Sequence, residues 1–272
     1  MKIAVWLEEN TVRLASANIE SARLDCLLLL ELVLQKDRPW VLANQNDHQL
    51  ESDQISLLEK HIERRGQNEP IAYITGKVEF YGLELAINEN VLVPRPETEE
   101  LVTMAARLAK PEAKIIDIGT GSGAIGIALK SIRPDLEITL SDISPESLEL
   151  AQKNISKYSL HDIKLIQSNL MNDISGQFDL ILANLPYLEK SVDTSPTISW
   201  EPDLALFSPE GGLQHYKKLI SRIQEGQFFT ESGYLILEAK PSQHKQLISF
   251  AENHGLTAQP DFNKPYMLVF SV

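Results

Sequence analysis

The chain is short of cysteine, of long apolar runs and of positive charge. Its 272 residues include one cysteine, Cys26, set in an apolar stretch. A lone cysteine makes no intrachain disulfide and no cysteine-cluster metal site, which fits a reducing compartment and a buried thiol. The most apolar segment, Cys26 to Leu34, contains Glu31 and is far shorter than the ~20 residues that span a bilayer. The start, Met1 to Leu7, reaches Glu8 and Glu9 too soon for a secretory signal. The expectation is a soluble cytoplasmic protein with no membrane partner. Lys and Arg number 25 against 38 Asp and Glu, a formal charge of -13. Residues 1–110 alone carry 12 basic and 18 acidic side chains. Gripping phosphates needs clustered cations, so direct nucleic-acid binding is not expected. An acidic balance suits a basic protein partner or a cationic ligand, and also plain solubility. No internal repeat or low-complexity tract is present.

Hydrophobic residues make up 43% of the chain, enough for a real core, and the length suits two domains. Residues 1–70 read as a helical domain. Leu24, Leu27, Leu28, Val33 and Leu34 recur at helical spacing, as do Leu57, Leu58, His61 and Ile62. Residues 71–93 read as short paired strands, a hairpin linker that includes Ile71-Ala72-Tyr73-Ile74. From residue 94 to 272 strands and helices alternate. Strands are expected at Lys114–Ile118, Glu137–Ser141, Ile163–Gln167, Phe178–Ala183, Tyr234–Glu238 and Met267–Ser271. Ser144 and Pro145 have the residue types of a helix N-cap and first helical position. This alternation predicts an α/β fold with a mostly parallel sheet covered on both faces. Ligands then bind beyond the carboxyl ends of the strands.

One such end carries Asp117-Ile118-Gly119-Thr120-Gly121-Ser122-Gly123-Ala124-Ile125-Gly126. Glycine lets backbone N–H groups approach a ligand closely. Gly121 to Gly126 matches G-x-G-x-x-G, with Asp142 at the distance of a ribose-binding acid. That pattern alone would fit a nicotinamide dinucleotide. Gly119 and the strand-tip carboxylate of Asp117 shift the reading. A carboxylate there crowds a pyrophosphate but suits a ligand with an amine and a sulfonium, such as S-adenosyl-L-methionine.

A second strand end carries Asn184-Leu185-Pro186-Tyr187 after the apolar run Phe178–Ala183. Pro186 has no N–H, so the ladder stops there and nearby carbonyls are free. An Asn oxygen and a backbone carbonyl can accept both hydrogens of an NH2 group. Tyr187 can stack on a flat group.

With both motifs placed, the chain resembles the HemK-type glutamine methyltransferases that modify peptide chain release factors. The likeness runs almost end to end, through Arg23-Leu24-Asp25, Glu69 to Gly76, Glu79 to Gly82, Val93-Pro94-Arg95-Pro96-Glu97-Thr98-Glu99, Asp117 to Ile125, and Glu201-Pro202 with Ala205-Leu206. The resemblance implies an N-terminal helical domain that recognises the release factor. It also implies a Rossmann-like class I methyltransferase domain with a seven-stranded sheet. Gly119, Thr120, Gly121, Ser122, Gly123, Asp142, Asn169, Leu170 and Asn184 would contact S-adenosyl-L-methionine. Asn184, Leu185, Pro186 and Tyr187 would hold the glutamine of a Gly-Gly-Gln loop, with Asn184, Pro186 and Tyr187 closest to the chemistry. Two positions depart from the family. Leu185 stands where it usually has Pro, and Asn169 where it commonly has Asp. Rival readings are a glutamine methyltransferase of a ribosomal protein, an adenine amino-methyltransferase of nucleic acid with a similar grip on a flipped base, and a catalytically silent scaffold.

Overall fold

The computed structural model describes residues 1–190, 195–262 and 264–272. It divides into two compact units, which are taken separately.

The smaller comprises Met1–Lys77 with the segment that ends at Trp200. Its helices are α1 (Ile3–Ser16), α2 (Ala22–Leu34), α3 (Arg38–Asn44), α4 (Ser52–Gly66) and α5 (Ile71–Thr75). Their apolar faces close over Trp6, Leu7, Leu14, Cys26, Leu29, Leu30, Leu58 and Ile62. The buried stripe of α2 therefore runs through Cys26, Leu29 and Leu30, while Leu24 is exposed. Within this apolar unit lies an ion pair. Asp25 Oδ2 is 2.7 Å from Arg65 Nε and also accepts from Ser21 Oγ. Asp25 of the Arg-Leu-Asp motif thus ties α2 to α4. Trp200 Nε1 donates to the Gln67 carbonyl at 3.1 Å, within the same unit.

Residues 71–75 form a helix rather than the expected strand. Pro70 precedes the first turn and Gly76, at φ 72°, ends it in the left-handed region that glycine tolerates. A short apolar run cannot be assigned by periodicity alone, and here Pro and Gly frame a single turn. The hairpin itself is real but begins later, as β1 (Lys77–Phe80) and β2 (Leu83–Ala86).

The larger unit alternates α6 (Thr98–Leu108), β3 (Lys114–Ile118), α7 (Ala124–Ile132), β4 (Glu137–Asp142), α8 (Pro145–Lys157), β5 (Lys164–Gln167) and β6 (Phe178–Ala183). Short helical turns α9 (Asp203–Leu206) and α10 (Pro209–Gly212) lead into α11 (Gln214–Gly226). β7 (Phe229–Glu238), α12 (Pro241–Asn253), β8 (Thr257–Ala258) and β9 (Met267–Ser271) follow. Among the described residues these make a seven-stranded sheet of order β5-β4-β3-β6-β7-β9-β8. All neighbours from β5 to β7 are parallel, and β9 runs antiparallel to both β7 and β8. One apolar layer lies between the sheet and α6, α7 and α8, and another between the sheet and α11 and α12. Two-sided burial explains why β3 and β6 read as largely apolar runs, each interrupted by one aspartate, Asp117 and Asp179. No helix among the described residues is long and apolar enough to cross a membrane.

Candidate functional site

Register places the chemistry. Ile118 pairs with Ser141 on one side and Ala183 on the other, and Ala183 pairs with Leu237. The next residue of each strand therefore falls in one row: Asp142, Gly119, Asn184 and Glu238. Adjacent strands lie roughly 4.8 Å apart, so four strand tips present a continuous edge. The chain order reverses between β3 and β6, the switch point where open parallel sheets leave a crevice.

The first half of the row is a backbone cradle. Gly119, Gly121 and Gly123 all have positive φ, at 72°, 56° and 82°. The Gly119 and Thr120 amides donate to the Ser141 carbonyl at 2.9 and 3.0 Å. Gly121 N donates to Asp142 Oδ2 at 2.8 Å, and Ser144 N to Asp142 Oδ1 at 3.0 Å. Each Asp142 oxygen keeps a further lone pair for a ligand hydroxyl. Burial raises the Asp142 carboxyl above its ordinary range. Gly126 serves packing: a Cβ there would meet Leu140 Cδ2 at 2.1 Å, so only glycine lets α7 lie on β4. Asn154 of α8 fastens the cradle, donating to the Ser122 and Ala86 carbonyls.

Gly119, Thr120, Gly121, Ser122, Asp142, Asn169, Leu170, Asn184, Leu185 and Pro186 line one cavity. Three expected residues stand outside its lining. Gly123 begins α7 behind the turn. Asp117 is completely buried beneath it, with Oδ2 accepting from Thr120 Oγ1 at 2.5 Å and Oδ1 lacking a partner. Chiefly through burial, its carboxyl is pushed up to about 7. A carboxylate in that place would reach a ligand in the cavity by its field rather than by contact. Tyr187 lies half-buried beside the cavity with Lys240 Nζ 5.9 Å from its ring centre. Burial first, and Glu238 second, push its hydroxyl up to about 12.

The second half of the row is held by side chains. Asn184 Nδ2 donates to Thr98 Oγ1 at 3.1 Å. Tyr216, fully buried, places its hydroxyl between the carbonyls of Leu185, at 2.9 Å, and Glu238. Gln243 Nε2 donates to the Tyr187 carbonyl at 3.0 Å. The Leu185 and Tyr187 carbonyls are thus engaged, while that of Pro186 has no donor among the described residues. Leu185 is buried in the apolar layer, and its Cδ2 lies 3.0 Å from where a Gly119 Cβ would stand. The side chain that departs from the family pattern packs under the glycine turn.

Sequence reasoning assigned no role to several residues here. Thr98 and His215 line the cavity, and burial lowers the His215 imidazole. Arg95 pairs with Glu201 at 2.5 Å, and Glu201 also accepts from Val93 N at 3.1 Å. Two motifs more than a hundred residues apart therefore join at the cavity rim. Glu99 accepts from Tyr81 N at 2.7 Å and steadies the hairpin turn. Their motifs were visible in the sequence, but their partners were not.

A mostly parallel sheet of this order, with a glycine turn at one strand tip and an acid at the next, defines a Rossmann-like class I methyltransferase, whose methyl donor is S-adenosyl-L-methionine. The comparisons with known proteins agree. The family described as "Methyltransferase small domain" matches residues 100–201, and "PrmC N-terminal domain" matches residues 6–76. A release factor glutamine methyltransferase of Deinococcus radiodurans is 34% identical over 95% of this chain and 93% of its own length. That of Escherichia coli is 36% identical over 88% of this chain and 86% of its own. A solved methyltransferase from Pyrococcus furiosus shares the fold at TM-score 0.55 and 17% identity, covering 77% of this chain and 98% of that one. The chain belongs to the release factor glutamine methyltransferase family.

Proposed function

We propose that this protein methylates the side-chain amide nitrogen of the glutamine in the Gly-Gly-Gln loop of peptide chain release factors, in the cytoplasm. The observation that carries this reading is Asn184, a neutral amide at the wall of the cofactor cavity with its NH2 already tied to Thr98. Its oxygen is left to accept from an incoming NH2 group, and the free Pro186 carbonyl, two residues further on, offers a second acceptor.

S-adenosyl-L-methionine supplies an electrophilic methyl group when bound. The cradle fits it: an acid with spare lone pairs for ribose hydroxyls, backbone approach at the glycines, and a buried orphan carboxyl oxygen on Asp117 that favours nearby positive charge. Gly119 to Gly121, Ser122, Asp142, Asn169 and Leu170 would hold it.

A glutamine nitrogen is a weak nucleophile because its lone pair is shared with the carbonyl. Two acceptors on its N–H groups return electron density to nitrogen and hold it in line for attack. Those bonds strengthen as nitrogen becomes positive, so they favour the transition state over the ground state. No strong base is required, since the methylated nitrogen is acidic enough to lose its proton to water. Tyr187 flanks the acceptor amide, and the helical unit Met1–Lys77 docks the release factor.

The test is incubation with labelled S-adenosyl-L-methionine and a release factor, followed by mapping of the modified peptide. Label on the loop glutamine is expected. Label on a ribosomal protein or on adenine in direct competition, with none on the release factor, would overturn the reading.

A further inference from the structure

The row of strand tips holds one carboxyl that the reading above leaves without a task. Glu238 ends β7, beside Asn184, and is 1% exposed. It does not line the cavity. Thr98 and Asn184 both favour its charged form, and its Oε2 has no partner. Leu237 and Ala239 on either side are fully buried and apolar. A carboxyl in such a place costs the fold stability unless it is well paired.

A side-chain amide is nearly symmetric in shape, so its partners decide which end faces where. The decision here passes through Thr98. A carboxylate only accepts hydrogen bonds, so a Glu238 carboxylate, whose charged form Thr98 favours, draws the single proton of the Thr98 hydroxyl. The Thr98 oxygen can then only accept, and Asn184 must turn its NH2 toward it. We propose that Glu238 is a positioning residue that fixes the Asn184 amide with Oδ1 toward the acceptor, directly and through Thr98. This rests on Asn184 gripping the acceptor NH2 as described above.

Protonation of Glu238 reverses the relay. A carboxylic acid donates, which frees the Thr98 proton for Asn184 Oδ1. The amide then presents NH2 to an acceptor NH2, and donor meets donor. Burial above all pushes Glu238 up to about 7. Glu97 adds to the rise, while Thr98, Asn184 and Arg95 oppose it. The remaining ionisable groups near the end of β7 are Tyr187 and Tyr216, both raised by burial, with Lys240 over Tyr187 and His244 at the Ala239 carbonyl. The grip is therefore assembled above about pH 7 and lost below it.

The experiment follows the Asn184 side-chain NH2 signals of the full chain by nitrogen-15 NMR from about pH 5.5 to 8.5, a window that brackets the carboxyl. In parallel, kcat and KM for release-factor methylation are measured for wild type, Glu238→Gln, Thr98→Val and Thr98→Ser. The wild-type NH2 pair is expected to titrate with a midpoint near 7, and to lose that titration in Glu238→Gln. Turnover should fall roughly 10- to 100-fold in Glu238→Gln and Thr98→Val, the range found for residues that orient metal-binding side chains, with KM nearly unchanged. Thr98→Ser should restore what Thr98→Val loses. An NH2 pair that does not titrate in the wild type, or a Glu238→Gln enzyme with wild-type kcat and pH profile, would overturn the proposal. The NMR arm needs no variant to fold. A titrating NH2 pair in a protein that fails to modify any release factor would defeat the substrate reading and leave the positioning of Asn184 standing.

Discussion

The ends of β3 and β4 present mainly backbone to the cavity; the ends of β6 and β7 carry side chains that hold one another. The first region is built from glycines, main-chain amides and one acid whose oxygens are already anchored by two N–H groups. It offers a general surface, shared by many proteins that bind adenosine-bearing ligands. The second region depends on Asn184, Thr98, Tyr216 and Glu238, each held by another side chain or by a strand end. Backbone cradles are specified by where a side chain is absent. Side-chain grips are specified by who the neighbours are, and so carry the choice of acceptor.

The sharpest break should come from Asn184→Ala. It removes an acceptor that matters most in the transition state, and a loss of roughly 100- to 1000-fold in single-turnover methylation is expected. Binding of S-adenosylhomocysteine, read by calorimetry, should change by far less. Near-normal turnover in this variant would erase the distinction between the two regions.

The cradle should fail in a different way. Gly126→Ala places a methyl against Leu140 and Ile138, and overpacking of this kind costs about 1–3 kcal/mol. Chemical denaturation should show the loss, and cofactor affinity should fall with it while the acceptor grip is untouched. A variant as stable as the wild type would mean that α7 can move off the sheet freely.

Asp117→Asn probes the charge beneath the cradle. A carboxyl raised to about 7 from 3.8 binds its proton more tightly in the folded chain than in the unfolded one. Its contribution to stability is full below about pH 4 and is lost as pH rises through about 7. The asparagine variant should therefore be more stable than wild type at pH 8, by roughly 1–3 kcal/mol, and show a flatter pH dependence. Equal melting behaviour at acid and alkaline pH in the wild type would contradict this. Weaker S-adenosyl-L-methionine binding by the variant would sharpen the view that Asp117 acts through its field.

Leu185→Pro should have the smallest effect. Proline stiffens the unfolded chain, worth about 0.4–1 kcal/mol where φ is compatible, but the variant gives up a buried side chain under Gly119. The lost burial, about 1.5–3 kcal/mol for a leucine, outweighs that gain, so stability falls slightly while turnover should stay within about twofold. A large gain in rate would mean that leucine miswires the turn.

Much of the larger unit was legible. β3, β6, β9 and the Ser144–Pro145 start of α8 follow from apolar runs and cap chemistry that need no tertiary information. The glycine turn and Asn184 were legible because both are local motifs. The α5 turn was misread because four apolar residues fit a strand as well as a helix until Pro70 and Gly76 are seen as its ends. The buried face of α2 was not legible because nearly every position there is apolar, which leaves periodicity little contrast. Glu238 passed unnoticed because an acid at a strand end looks like a solvated terminus.

The sequence by itself determined the main alternation of strands and helices in the larger unit, the family, and the two motifs that bear on cofactor and acceptor, because each is written in adjacent residues. Only the tertiary structure decided which residues meet. Arg95 finds Glu201 across more than a hundred positions, Leu185 packs beneath Gly119, and Asp117 drops under the turn it was expected to face. The parallel register sets Asn184 beside Glu238. These are contacts between strand ends, and a strand end has neighbours only once the sheet has formed.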